Sequence, residues 1–277
     1  MHKSSSHTVF IFSCLLIVIA LLISCKSRND SGISSPKTAT ASVMDPPSMK
    51  KEIDTVGLDY IMGHFDPASD DRFVIIKDKY ADRSGLYMRK EAYTEFLRMY
   101  DAAYKDGIQF KIRSATRNFD YQKGIWERKW TGKTKVSDGT NVHTDIKEAI
   151  DKALKILEYS SMPGTSRHHW GTDIDLNSFD NKWFESGEGL KLYTWMQEHA
   201  HKYGFCQPYT AKGPDRPYGY NEEKWHWSYT PISADLIQEA ETLKDNMIRG
   251  FLGAEQAEAI GVVEKYILGI NSSCKSH

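Results

Sequence analysis

Two separated segments carry the histidine and carboxylate side chains of one predicted metal site, so the fold has to bring them together. The first segment, residues 166–175, reads SRHHWGTDID, and the second, residues 223–226, reads EKWH. Together they offer two imidazoles and a carboxylate, the three protein ligands of a catalytic zinc site whose fourth position is left for water. A nearby carboxylate that is not a ligand can move a proton from that water to a leaving amine. The pattern therefore predicts metal-dependent hydrolysis of an amide.

The choice of ligands has rivals within the first segment. The predicted ligands are His168, Asp175 and His226. His169 competes with His168, but adjacent side chains on extended backbone point to opposite faces, so only one of the two can serve. Asp173 shares a face with Asp175 on a predicted strand. It is expected to be either a competing ligand or an acceptor that holds a ligand imidazole in place.

The predicted general base is Glu223, three residues before His226, and Glu222 is its rival. Glu223 reaches the same site as His226 if this segment is turned rather than a flat strand. A divalent cation lowers the pKa of a neighbouring carboxyl group, whereas a group that takes up a proton needs its pKa biased upward. Apolar packing from Trp225 or Trp227 is expected to supply that bias by removing water from the carboxylate.

The residues around the two segments resemble the VanY-type D-alanyl-D-alanine carboxypeptidases of the LAS superfamily of zinc metallopeptidases. The family signature is Ser-x-His-x-x-Gly-x-x-x-Asp, followed by Glu-x-x-His and an aromatic residue. The residues that match it are Ser166, His168, Gly171, Asp175, Glu223, His226 and Trp227. The resemblance covers roughly residues 80 to 232, and it implies His168 rather than His169 as ligand and Glu223 rather than Glu222 as base. Many family members carry a small apolar residue at the position of Asp173.

A third block, residues 114–119 (SATRNF) followed by Gln122, resembles the arginine-containing element of the same family. The guanidinium of Arg117 suits a substrate carboxylate or a developing oxyanion. The resemblance implies that Arg117 stabilises the oxygen of the tetrahedral intermediate, and that Gln122 and Ser166 orient the C-terminal end of the substrate. Asn118 stands where the family commonly has Ser, and we expect this change to alter substrate fit.

The first 24 residues are predicted to be a lipoprotein signal peptide. An apolar stretch from Val9 to Ile23 is short for a membrane span and ends in Leu22-Ile23-Ser24-Cys25, which resembles a bacterial lipobox. Cys25 would then carry lipid; the alternative is an ordinary signal peptide with an incidental cysteine. Residues 25–55 are predicted to be a flexible tether, residues 56–248 the zinc peptidase domain, and residues 249–277 a C-terminal helical extension. The protein is expected to be lipid-anchored in the bacterial cell envelope, facing the periplasm.

Charge and cysteine content narrow the class of partner. The formal net charge is −1, and loss of Lys3 with the signal segment makes it about −2, which argues against nucleic acid. The folded part contains two cysteines, Cys206 and Cys274. In an oxidising compartment they can form a disulfide, and the alternative is two buried thiols. We expect a monomer that binds Zn²⁺, peptidoglycan peptides and, through its lipid, a membrane.

Hydrophobic periodicity indicates an α+β fold. Ala92, Phe96, Met99 and Ala103 mark one face of a predicted helix over residues 89–104. Strands are predicted over 108–112 and 172–176, and a loop over 131–142. Further helices are predicted over 121–130, 144–158, 190–203, 233–252 and 254–268. The resemblance implies a small, mainly antiparallel sheet with helices packed around it.

The expected activity is a zinc D,D-carboxypeptidase that removes terminal D-alanine from peptidoglycan stem peptides. An L,D-carboxypeptidase and a peptidoglycan endopeptidase are the alternatives within the same chemistry, because the motifs do not encode the shape of the pocket. A non-catalytic cell-wall-binding protein is the alternative outside it. The presence of Glu223 argues for turnover.

Overall fold

The computed structural model describes residues 57–276. The predicted signal peptide over residues 1–24, the tether over 25–55 and the lipidated Cys25 lie outside the described residues. Within residues 57–276, no helix has both the length and the apolar character needed to cross a bilayer.

A four-stranded antiparallel sheet lies at the centre of the described chain, with strand order β3-β4-β6-β5. Its strands are β3 (Ile112–Ser114), β4 (Asp173–Leu176), β5 (Phe205–Cys206) and β6 (His226–Tyr229). A separate antiparallel pair consists of β1 (Phe73–Ile75) and β2 (Tyr87–Arg89). Together with the surrounding helices, these small sheets confirm the predicted α+β class.

Eight α-helices surround the two sheets in the described residues. They are α1 (Leu58–Ile61), α2 (Lys90–Lys105), α3 (Phe119–Trp130), α4 (Val142–Asp145), α5 (Ala149–Ile156), α6 (Gly187–His199), α7 (Thr230–Ala240) and α8 (Ala257–Ile260). The predicted apolar face of α2 is confirmed, since all four of its marker residues are buried. They pack in one core cluster with Ile112, Ile174 and Leu176 of the central sheet.

The predicted strand over residues 108–112 is wrong, because the strand begins at Ile112 and runs to Ser114. The side chain of Asn177 takes the place of a partner strand for the preceding residues. Its Oδ1 accepts from the backbone N of Lys111 at 2.9 Å, and its Nδ2 donates to the carbonyl of Gln109 at 2.9 Å. Asn177 adopts a left-handed backbone conformation with φ of 58°. The alternation of apolar and polar residues predicted that these backbone groups would bind a partner strand. The side-chain amide of Asn177 forms those hydrogen bonds instead.

The predicted helix over residues 144–158 is two short helices, α4 and α5, separated by an extended Ile146. The carboxylate of Asp145 accepts from the backbone N of Asn141 at 2.9 Å, and Thr144 donates to the same carboxylate at 2.7 Å. Short polar side chains that bind local groups in this way compete with continuation of a helix. The loop predicted over residues 131–142 is confirmed up to Asn141, the N-cap of α4, and the helix begins at Val142.

Both predicted C-terminal helices are shorter than their apolar patterns suggested. The first ends at Ala240, after which Leu243 turns into the core. The second is interrupted at Gly261, whose φ of 69° ends α8 in the left-handed conformation that favours glycine. The residues that follow form a π-helical turn, Val263–Ile267.

A disulfide joins Cys206 of β5 to Cys274 near the end of the chain, with Cα atoms 5.6 Å apart. The pairing that the sequence left open is therefore present. The C-terminal segment also packs against α3, since the ring of Phe251 lies 6.5 Å from that of Phe119 and 5.9 Å from that of Trp126, between centroids. The residues predicted to be an extension thus share a hydrophobic core with α3.

Candidate metal and catalytic site

Two neighbouring strands and one turn bring the three predicted ligands together. In the register of β4 with β6, Asp175 lies directly opposite His226. His168 lies on a 3₁₀ turn, Arg167–Trp170, which Gly171 ends with a φ of 74°. One ligand atom from each of the three residues lies within 4.8 Å of the others, and all three residues are buried.

The ring of His168 is oriented by the chain before α3. Its Nδ1 lies 2.8 Å from the carbonyl of Ala115, which leaves Nε2 facing Asp175 at 3.2 Å from Oδ2. His169 points elsewhere: its Nδ1 contacts the carbonyl of Arg117 at 2.6 Å, and its Nε2 accepts from the backbone N of Gly164 at 3.1 Å. The structure therefore places His168, and not its neighbour, beside the other two predicted ligands.

His226 lies between carboxylates on both edges of its ring. Its Nε2 is 2.9 Å from Oδ2 of Asp173, on the side away from the ligand group. Its Nδ1 is 3.6 Å from Oδ1 of Asp175 and 2.8 Å from Oε2 of Glu223. Burial alone would lower the pKa of His226, but the hydrogen bonds to Asp173 and Glu223 raise it to about 9. Of the two roles predicted for Asp173, the geometry shows the acceptor that holds an imidazole.

The donor set fits a divalent metal ion. It consists of His168 Nε2, a carboxylate oxygen of Asp175 and His226 Nδ1, a combination that Zn²⁺ accepts. Among the described residues, His168 Nε2 and Asp175 Oδ1 are buried without a well-directed hydrogen bond. Burial, reinforced by the charge of Arg117, lowers the pKa of His168 and favours the neutral imidazole that a metal needs. Burial opposes ionisation of Asp175, but the two histidines outweigh it and lower its pKa to about 2.

Glu223 lies on a turn rather than on a flat strand. The backbone N of His226 donates to the carbonyl of Glu223 at 3.2 Å, and this bends the segment so that both side chains face the same site. Glu223 is buried, and burial raises the pKa of its carboxyl despite the opposing contact with His226. Glu222 is half-buried, and its carbonyl binds the side chain of Asn181. The geometry thus brings Glu223 and not Glu222 to the predicted ligands.

The aromatic residues near Glu223 differ in position from the expectation. Trp225 and Trp227 belong to the core cluster that contains Ile174, and Trp227 lies opposite Ile174 in the register of β4 with β6. The ring that packs on His226 is that of Tyr209, edge-on at 4.9 Å between centroids. The charge of Glu223 acts on this same tyrosine. Tyr209 carried no signal in the sequence, because no motif residue lies near it.

Arg117 is fixed through its backbone beside the site. Its N donates to the carbonyl of His168 at 3.0 Å, and its carbonyl meets His169 as described above. Its charge acts on His168, Asp175 and Glu223. Asn118, the departure from the family pattern, caps α3, since its Oδ1 accepts from the backbone N of Tyr121 at 2.9 Å.

The two predicted substrate-orienting residues are both buried. Gln122 donates from Nε2 to the carbonyl of Ser161 at 2.8 Å, so it holds the segment that leads to the motif. Within residues 57–276, the Oε1 of Gln122 and the hydroxyl of Ser166 have no hydrogen-bond partner. These two polar atoms remain available to a bound molecule. Their substrate-binding role stays a prediction.

Lys129 is a charged residue of this region that belongs to none of the sequence motifs. It lies in the last turn of α3, and its Nζ donates to the hydroxyl of Ser160 at 2.5 Å. Burial lowers the pKa of Lys129 to about 8, helped by the charge of Arg117 and opposed by that of Glu223. A single lysine on a helix has no spacing signal, so its place beside the site emerges only from the fold.

Comparison with known proteins gives a consistent family. The family model described as VanY, D-alanyl-D-alanine carboxypeptidase, matches residues 85–232. "Putative carboxypeptidase YodJ" of Bacillus subtilis (strain 168) is 31% identical over 163 residues, which is 58% of this chain and 50% of that protein. A D-alanyl-D-alanine carboxypeptidase of Enterococcus faecalis (strain ATCC 700802 / V583) is 26% identical, over 49% of this chain and 46% of that protein. The chain thus spans about half the length of the curated relatives it matches.

Among solved structures, the LdcB LD-carboxypeptidase aligns with a TM-score of 0.47 and 22% identity. That alignment covers 74% of this chain and 81% of that one. VanYB in complex with D-alanine-D-alanine aligns with a TM-score of 0.45 and 24% identity, covering 63% of this chain and 91% of that one.

Proposed function

The chain belongs to the VanY D-alanyl-D-alanine carboxypeptidase family, and on that premise we propose that it is a zinc-dependent D,D-carboxypeptidase acting on peptidoglycan stem peptides. The observation that carries this proposal is the buried group formed by His168, Asp175 and His226, with the Glu223 carboxylate 2.8 Å from Nδ1 of His226. A bound Zn²⁺ would supply Lewis acidity and an acidified water to this site.

The protein side chains then have separate tasks. His168 and His226 would hold the metal through Nε2 and Nδ1, and Asp175 would contribute a carboxylate oxygen. Glu223 accepts a proton and delivers it to the leaving amine; burial raises the pKa of its carboxyl, which favours uptake of that proton. Arg117 places a fixed positive charge beside the reacting carbonyl, where it stabilises either the developing oxyanion or a substrate carboxylate.

Mass spectrometry of the products from defined stem peptides tests this activity. We expect loss of one D-alanine from a pentapeptide ending in D-alanyl-D-alanine, abolished by a chelator and restored by added Zn²⁺. A tetrapeptide substrate tests the L,D-carboxypeptidase alternative in parallel. A pentapeptide with an amidated C-terminus should lose most of the activity, and equal rates on free and amidated peptides would favour the endopeptidase instead. Absence of any cleavage would favour the non-catalytic wall-binding alternative.

Lys129 gives a prediction about pH. We expect its cation, together with Arg117, to attract the terminal carboxylate of the substrate, so Lys129→Met should raise KM by about 10-fold with little change in kcat. With a pKa of about 8, Lys129 is charged at pH 7 and mostly neutral at pH 9. The KM of the wild type should therefore rise between pH 7 and pH 9 and approach that of the variant, as steady-state kinetics would show.

Lys123→Met is the matched control, because Lys123 lies on the same helix and donates to the carbonyl of Gly250. Equal KM values for Lys129→Met and the wild type at pH 7 would count against the contact.

We further propose that Cys25 carries lipid and anchors the protein in the cell envelope, facing the periplasm. The support is the lipobox-like sequence that ends at Cys25. The native protein should partition with membranes and Cys25→Ala should be released, because several acyl chains anchor firmly whereas one binds only marginally. Fractionation of cells that express each form checks this. Native protein found unmodified in the soluble fraction would contradict the anchor.

A further inference from the structure

A buried cluster of polar side chains lies behind His226, and the proposed reaction gives it no direct task. We name it the Arg167 cluster; it consists of Arg167, Asp173 and Ser228. The side chains of Arg167 and Asp173 are 0% exposed, and Ser228 is also fully buried. Burying charge is costly unless each group is paired and hydrogen-bonded, so the arrangement calls for a physical reason.

The carboxylate of Asp173 has hydrogen-bonding partners on both oxygens. Oδ2 accepts from Nε of Arg167 at 3.0 Å and lies 2.9 Å from Nε2 of His226. Oδ1 accepts from the hydroxyls of Thr172 and Ser228, each at 2.7 Å. Four contacts on one carboxylate leave it little freedom to rotate.

Arg167 is in turn fixed from two other directions. Its Nη2 donates to the hydroxyl of Ser228 at 2.5 Å. Its guanidinium carbon lies 4.6 Å from the centroid of the Trp170 ring. Because Asp173 lies opposite Ser228 in the register of β4 with β6, the sheet itself sets the position of the cluster relative to His226.

We propose that Arg167 and Asp173 are positioning residues that hold the His226 ring so that Nδ1, and not Nε2, is presented to the metal. This inference rests on the metal site of the proposed function. The carboxylate of Asp173 contacts Nε2 of His226 and also accepts from Arg167. The contact with Arg167 keeps the Asp173 carboxylate from becoming a metal ligand. Hydrogen-bond partners of a ligand histidine typically change metal affinity by about 10- to 100-fold.

The first test measures Zn²⁺ affinity by competition with a chromophoric chelator, with the thermal midpoint of the metal-free protein recorded alongside. We expect Asp173→Ala to weaken Zn²⁺ binding by about 10- to 100-fold. Ser233→Ala is the matched control, because Ser233 is buried and contacts Ser228 at 3.0 Å without being part of the cluster. Its Zn²⁺ affinity should stay within a few-fold of the wild type.

Double variants separate positioning from folding, since Asp173→Ala alone leaves Arg167 buried without its anion and can fail to fold. The pair Arg167→Met with Asp173→Asn removes both charges but keeps an amide oxygen that can accept from Nε2. We expect it to bind Zn²⁺ within a few-fold of the wild type. The pair Arg167→Met with Asp173→Ala removes the acceptor as well and should remain weak. Equal affinities of these two double variants would overturn the inference.

The nitrogen that binds the metal can also be observed directly. ¹⁵N NMR of histidine-labelled, Zn²⁺-loaded protein should show His226 coordinated through Nδ1 with a protonated Nε2. Coordination through Nε2 in the wild type would overturn the inference. If the wild type does not bind Zn²⁺ at all, the proposed function fails as well. If the wild type binds and Asp173→Ala binds equally well, only the positioning role fails.

Discussion

Replacing Glu223 with Gln is expected to lower kcat on a cleavable stem peptide by about 10²–10⁴-fold while the metal stays bound. The amide keeps the size of the side chain and its place beside His226, where the carboxylate now lies 2.8 Å from Nδ1. It cannot accept the proton that must leave the attacking water. Single-turnover kinetics and metal analysis of the purified variant measure the two effects separately.

Glu222→Gln is the matched control for this experiment. Glu222 is the adjacent carboxylate, but it is only half-buried and lies outside the ligand group. Its replacement should leave kcat within a few-fold of the wild type. Near-normal turnover in Glu223→Gln would show that another group is the base. Loss of metal in that variant would instead show that Glu223 supports the ligands rather than moving a proton.

Periodicity predicted those parts of the fold whose side chains alternate between core and solvent. The 3.6-residue repeat of Ala92, Phe96, Met99 and Ala103 identified α2, since each of these residues packs in the core. Periodicity gave a wrong prediction where a single polar side chain determines the hydrogen bonding of the backbone. Asn177 binds the backbone at Lys111, which lies 66 residues earlier in the sequence, and no local sequence pattern predicts such a contact.

The candidate site shows a similar division between motif and fold. The family resemblance singled out His168, Asp175 and His226, and the structure brings one ligand atom of each within 4.8 Å of the others. The role of Asp173 stayed open, since its place on the strand fits both a ligand and an acceptor. Its partner Arg167 adjoins His168, but no pattern in the sequence indicates the ion pair with Asp173. A charged residue inside a motif is ordinarily read as solvated, and only tertiary structure reveals that it is buried.

Removing one ligand is expected to abolish metal binding almost completely. His226→Ala leaves His168 and Asp175, and two protein ligands hold Zn²⁺ far more weakly than the three of a catalytic site. The zinc content of the purified protein should fall from about one ion per chain to near zero, with hydrolysis lost in parallel. Elemental analysis after dialysis, together with the thermal midpoint, measures the metal and the fold in the same samples.

His143→Ala is the control for this ligand removal, because His143 is exposed and lies outside the ligand group. It should retain about one zinc ion per chain and full activity. His226→Ala also removes the partner of Asp173, but Asp173 keeps Arg167, so the buried charge remains compensated and the fold should persist. A folded His226→Ala protein that still holds a full equivalent of zinc would show that the metal is bound elsewhere. The ligand assignment, and with it the proposed chemistry, would then have to be abandoned.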